Sequence, residues 1–302
     1  MTRKALRADV LLLITAAIWG FAFVAQRLSM AAIGPFAFNA IRFGIGGLSL
    51  LPLMWITSRS PSPDRKPRLS AVLGGGAVAG TVLFLGATLQ QTGLVTTTAG
   101  KAGFITGLYV ILVPLLGLLA RHRASRATWA GALLAVAGLY LLSIADKLML
   151  ERGDALVLIG ALFWALHVLL ISYLTRRLPP VQLACVQFLV CAALSGAMAL
   201  ATETTTWQGM ERALWPILYG GLLSVGTAYT LQVVAQRDAP PAHAALLMSL
   251  ESPFAALGGW LVLGEQLTSR GLIGCGLMLG GMLLSSIPDA QRAPDPEPPT
   301  LR

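Results

Sequence analysis

Arg42, Lys101, His243 and Glu251 are ionisable residues that stand inside stretches that are otherwise apolar. A charge there must face a polar interior, find a partner or reach an interface. Arg42 is the one arginine deep in its stretch. Its planar fork suits a carboxylate, and it would serve equally to tie two helices together. Lys101 lies in the first turns of TTTAGKAGFITGLYVILVPLLGLLAR, residues 96–121. It either meets a solute or runs its stem outward to the interface. In APPAHAALLMSLESPFAALGGWLVLGE, residues 239–265, His243 holds the place of that lysine, and Glu251 and Pro253 follow. Glu251 is the candidate for proton exchange, since burial works against a carboxylate's charge. A structural pair with Lys101, His243 or Arg42 is the other reading.

Neutral groups accompany these charges. Trp19 and Trp164 each fall ten residues after an aspartate, Asp9 and Asp154, or roughly 15 Å along a helix. Membrane tryptophans usually sit at the interface, so two at mid-depth suggest either a cavity wall that stacks on solute or plain helix packing. His167 shares the helix face of Trp164, as a solute ligand or as a hydrogen-bonded structural histidine. Gln90, Gln187, Gln232, Tyr109 and Tyr229 offer hydrogen bonds to the same interior.

Nothing in these residues points to catalysis. His243 and Glu251 are separated by about 12 Å of helical rise, too far for a direct acid–base pair. The sequence holds no Walker lysine motif, zinc spacing, nucleophile elbow or HExxH, and no cofactor is expected. Cys185, Cys191 and Cys275 lie in apolar runs and read as small buried hydrophobes.

The elements that must position these groups are long apolar helices. Of 302 residues, 56% are hydrophobic and 12% charged, with mean hydropathy +0.73. Soluble domains carry about twice that charge fraction. Ten blocks approach the ~20 residues needed to cross hydrocarbon: Asp9–Leu28, Phe36–Trp55, Ala71–Gln91, Thr97–Leu119, Trp129–Ala145, Asp154–Leu174, Val181–Leu200, Ala213–Gln236, Pro241–Leu263 and Gly271–Ile287. The fifth and tenth are short. The expectation is an all-α integral membrane protein whose first helix is retained rather than cleaved as a signal.

Lysine and arginine set the orientation. Most of them, including Arg3, Lys4, Arg7, Arg65, Arg123 and Arg176, fall on one side if both termini are cytoplasmic. The net charge of +9 is therefore read as a membrane-side bias, with no nucleic acid as partner. The chain also repeats. At an offset of 145, Asp9 meets Asp154, Trp19 meets Trp164, Pro35 meets Pro180 and Arg42 meets Gln187. At 142, Gln90 meets Gln232, Lys101 meets His243 and Tyr109 meets Glu251; at 143, Gly131 and Gly138 meet Gly274 and Gly281. Five helices is an odd number, so two such units would lie inverted in the bilayer around a central cavity, an architecture of alternating-access carriers. The units are 1–148 and 149–288, followed by a Pro-rich, disordered cytoplasmic tail, 289–302.

The segments TTTAGKAGFITGLYVILVPLL, SLESPFAALGGWLVLGEQL and AAIWGFAFVAQR with the following NAIRF resemble the EamA-type carriers of the drug/metabolite transporter superfamily. The resemblance spans residues 8–287 and implies ten helices in two inverted units. It also implies export of amino acids or other metabolites across a bacterial inner membrane, and it marks Arg42, Lys101, Glu251 and Glu265 as motif positions. Glu265 closes the ninth helix near an interface and is read as structural. After Pro114 the first unit reads LLGLLARHRAS, without the acidic ending of its counterpart. The aromatic interior resembles the amino-acid exporter branch. The expected partners are a small-molecule solute, the lipid bilayer and a coupled proton, with the chain a monomer. A passive channel, an exporter of drugs or nucleosides, or an intramembrane enzyme on lipid-linked groups are the alternatives.

Overall fold

The structure is a computed structural model that describes residues 3–58, 68–119, 124–143, 151–264, 266 and 268–285. Glu265, the tail 289–302, and much of the Arg-rich linker between the second and third helices lie outside the described residues. So do the expected ends of the fifth and tenth blocks.

Among the described residues, eight helices are long and apolar enough to cross a membrane. They are α1 (Arg3–Ser29), α2 (Pro35–Ile56), α3 (Leu69–Gly93), α4 (Ala99–Leu119), α6 (Arg152–Leu174), α7 (Pro180–Thr202), α8 (Leu214–Ala235) and α9 (Pro241–Leu263). Two shorter apolar helices, α5 (Arg126–Leu141) and α10 (Ser269–Ser285), fall where the fifth and tenth blocks were expected. The polar stretch before α8 contains a short helix, Trp207–Arg212, capped by the Thr206 hydroxyl. Among the described residues there is no strand.

Burial runs opposite to that of a soluble protein. Large apolar side chains such as Leu73, Val78, Leu222 and Leu272 face outward, while Gln91, Gln187, Gln232 and Gln236 are almost fully buried. Outward leucines cost nothing against acyl chains, and inward amides are tolerated where they bond one another. With its repeated long apolar helices, this is a multi-pass membrane protein.

The main helix neighbours form a regular set. α2 packs on α7, α5 on α10 and α4 on α9; α3 lies against α6 and α7, α8 against α1 and α2, while α4 meets α6 and α9 meets α1. Exchanging the first five helices for the last five reproduces these neighbours. The α5–α10 crossing shows why glycine is needed there. A Cβ on Gly131 would come 2.5 Å from the Gly281 carbonyl oxygen, and one on Gly138 equally close to that of Gly274. The two backbones touch, and the pairing of 131 with 281 and 138 with 274 makes the helices antiparallel.

Polar bonds tie helix ends across the bundle. Phe36 and Ala37 at the start of α2 donate their amides to the Glu203 carboxylate at 2.9 and 2.8 Å, an anion on the positive end of a helix. The Lys101 ammonium lies 3.3 Å from Asp154 Oδ2, and Thr97 donates its hydroxyl to the same carboxylate. At the opposite end of the bundle, His243 Nε2 lies 2.9 Å from Asp9 Oδ1, and its Nδ1 is 3.1 Å from Ser285 Oγ.

Candidate functional site

A cavity with about 460 Å³ of empty space, its open side included, lies between the two halves. Its rim of aromatic rings centres on Tyr229 of α8. The Tyr229 ring centroid is 4.4 Å from that of Trp19, 6.1 Å from Trp164 and 6.4 Å from His167. Phe43 and Phe188 each lie 5.9 Å behind it. Tilted and edge-on rings at these spacings pack as a stable wall.

Both tryptophan N–H groups are taken by protein. Trp19 Nε1 donates to the Ser224 carbonyl at 3.2 Å, and Trp164 Nε1 to Gln90 Oε1 at 2.8 Å. What the tryptophans leave for a solute is ring surface.

Arg42 enters from α2 and is 2% exposed. Its guanidinium carbon lies 5.3 Å from the Phe38 ring centroid and 4.7 Å from that of Phe43, cation–π contacts that help hold a charge out of water. Its Nε donates to Asn39 Oδ1 at 2.9 Å. Among the described residues no carboxylate pairs with it. Glu251 lines the same cavity from α9, and among the described residues its Oε1 has no hydrogen-bond partner. The Arg42 and Glu251 charges are therefore not tied to each other, to Lys101 or to His243.

Local backbone breaks present two of these groups. α4 is interrupted at Leu108, directly before Tyr109, and α9 at Ser249–Leu250, directly before Glu251. The break in α9 has a cause in the sequence. Pro253 lacks the N–H that would bond the Ser249 carbonyl, and that carbonyl accepts from Ser252 N at 3.1 Å instead.

Of the residues singled out in the sequence, Trp19, Arg42, Gln90, Tyr109, Trp164, His167, Tyr229, Gln232 and Glu251 line the cavity. Lys101 and His243 sit at opposite ends of the bundle, bonded to Asp154 and Asp9. Gln187 stands behind the wall, its Oε1 2.8 Å from His167 Nε2. Sequence reasoning missed Phe23, Gln26, Thr106, Ser224 and Met248, which also line it. Gln26 was signalled by its spacing, since seven residues from Trp19 is two turns on one helix face. Ser224 meets Trp19 through its backbone carbonyl, a contact of which residue type gives no sign.

Apolar helices around an inward polar and aromatic cavity define a membrane protein of the solute-handling kind. The model of the EamA-like transporter family matches twice, at residues 6–144 and 151–287. The chain belongs to that family. It is 33% identical to an uncharacterized transporter of Archaeoglobus fulgidus over 94% of this chain and 87% of the relative. It is 28% identical to the uncharacterized transporter YwfM of Bacillus subtilis, covering 94% and 95%. A solved crystal structure, 21% identical, superposes with a TM-score of 0.74 over 92% of this chain and 96% of that one, a likeness of fold. Family and relatives point to a transporter rather than an enzyme.

Proposed function

We propose that the chain is a secondary transporter of a bacterial inner membrane that exports small metabolites, amino acids above all, by alternating access. The observation that carries this reading is Arg42 and Glu251 in one aromatic-walled cavity, neither bound in an ion pair among the described residues. An α-amino acid supplies the missing partners, its carboxylate for Arg42 and its ammonium for Glu251, while Trp19, Trp164 and Tyr229 hold its side chain. Tyr109, His167 and Gln232 border the bound solute, Gln90 orients Trp164, and Lys101, His243 and Gln187 support the bundle around it.

Ten crossings, as inverted units 1–148 and 149–288 with both termini cytoplasmic, carry the exchange of access. The repeated set of helix neighbours and the antiparallel contact of α5 with its counterpart α10 support that arrangement. The chain works as a monomer, and Glu251 exchanges a proton during the cycle.

Counterflow in proteoliposomes of the purified protein, run against a panel of amino acids, nucleosides and cationic drugs, tests the reading. Saturable counterflow of an amino acid is expected; flux that never saturates would mean a channel, and counterflow of only the other compounds would overturn the solute class. Equal rates with and without an imposed pH gradient would remove the proton.

A further inference from the structure

We infer that Gln26 is a specificity-determining residue that, together with Arg42, forms the anion-binding end of the cavity. This rests on the proposed handling of a solute with a carboxylate and an amine.

The inference follows from a chain of hydrogen bonds whose direction has no freedom. An indole N–H can only donate, so the atom of Gln90 that meets Trp164 Nε1 at 2.8 Å must be its oxygen. The Thr106 hydroxyl donates to that oxygen as well, at 3.3 Å. The Gln90 amide nitrogen is thereby turned to Gln26, where it donates to Oε1 at 3.0 Å. Gln91 Nε2 donates to the Gln26 main-chain oxygen at 3.3 Å and holds the backbone in place. With its oxygen bonded to Gln90, Gln26 keeps both of its N–H groups to offer. Among the described residues its Nε2 donates to no protein group, although the side chain is 4% exposed and lines the cavity. A buried amide donor facing a cavity calls for an acceptor.

The second half builds a two-glutamine relay of its own around Gln232, the counterpart of Gln90, with the opposite sense. Gln236 Nε2 donates to the Val168 carbonyl and Ser172 hydroxyl, each at 3.1 Å. Its oxygen therefore faces Gln232 Nε2, at 3.0 Å, and among the described residues Gln232 Oε1 is left without a partner. One relay thus ends in a donor and the other in an acceptor.

Depth within the bundle separates them. Trp19 bonds Ser224 and Thr15 bonds Ala228 across the antiparallel α1–α8 pair, which sets Gln232 near the level of Leu11. Gly220 of α8 packs on Arg42, so Arg42 stands near the level of Phe23, one turn from Gln26. Gly20 packs on the Glu251 main-chain oxygen, which sets that residue's backbone between Arg42 and Gln232. Donors occupy the end of the cavity nearest Ser29, and acceptors the part nearer Arg3. A carboxylate is held by Gln26 and Arg42, and the ammonium points away from them.

Competition binding to the purified full chain tests this, with L-phenylalanine, its decarboxylated analogue phenethylamine and its deaminated analogue 3-phenylpropanoate as probes. Wild type is expected to prefer phenylalanine over both. Gln26→Met, close in shape and without N–H groups, should cut the preference over phenethylamine about tenfold, what one charge-assisted bond is worth, and keep the preference over 3-phenylpropanoate. Gln26→Glu keeps the oxygen that Gln90 requires and should cut the first preference further, which guards against a fold defect in the methionine variant. Glu251→Gln should show the reverse pattern. If the Gln26 variants leave both preferences as they were, or blunt both alike, Gln26 is not the anion-binding residue although the solute reading stands. If wild type binds none of the three, that reading fails and this inference falls with it.

Discussion

A tryptophan whose N–H is already bonded meets a ligand only with its rings, and both Trp19 and Trp164 are of this kind. Trp164→Ala is therefore expected to abolish counterflow while the protein still elutes as a single species in size-exclusion chromatography; unchanged transport would retire the stacking role. Lys101→Met has a different signature. It strips a partner from Asp154, which is 4% exposed, while the lysine itself is 33% exposed, so the loss is about 1 kcal/mol after screening. Thermal unfolding in detergent should shift down with solute affinity unmoved. The contrast between these residues marks how far side chains can be read from sequence. Arg42 and Glu251 were legible as buried charges because their stretches are apolar on both sides. Lys101 and His243 looked alike, yet each is satisfied by an aspartate near the start of another helix. Spacing along one helix cannot reveal a partner on another, and the direction of a glutamine amide is written only in its neighbours.

Helix packing turns on very small side chains at a few crossings. Gly131→Val should force α5 away from the Gly281 carbonyl and cost about 1–3 kcal/mol, read as a lower unfolding midpoint, whereas Gly276→Val meets open space and should leave it in place. At this scale most of the fold was legible, because a run of about 20 apolar residues admits few conformations in lipid. The interruptions were not. Pro253 signals a lost bond, but the turn falls near Ser249, where the freed carbonyl finds Ser252. The Leu108 break lies well before Pro114, outside the reach of that proline's missing N–H, and no residue type announces it. Likewise the helix Trp207–Arg212 hides in a polar stretch whose composition reads as loop.

For the whole molecule, the two polar ties Lys101–Asp154 and His243–Asp9 fasten opposite ends of the bundle at positions matched by the repeat. Cysteines at 9 and 243, or at 101 and 154, in a background without Cys185, Cys191 and Cys275, should accept a short bis-methanethiosulfonate cross-linker. Either link is expected to stop counterflow and reduction to restore it; transport through a linked protein would show that the helices need not part there. The duplication was legible from its offsets because matched aspartates, tryptophans and glycines recur at nearly constant separation. Its chemistry was not, since the matched Gln90 and Gln232 bond different partners, Gln26 and Gln236, in opposite senses. The touching backbones of α5 and α10 carry one more consequence. Where glycine brings the two backbones together at 131–281 and 138–274 the helices have little room to slide, so under the proposed exchange of access this pair would be the axle about which the remaining helices swing. Spin labels placed on these two should keep their separation in every state, while labels on α1 and α6 report the stroke.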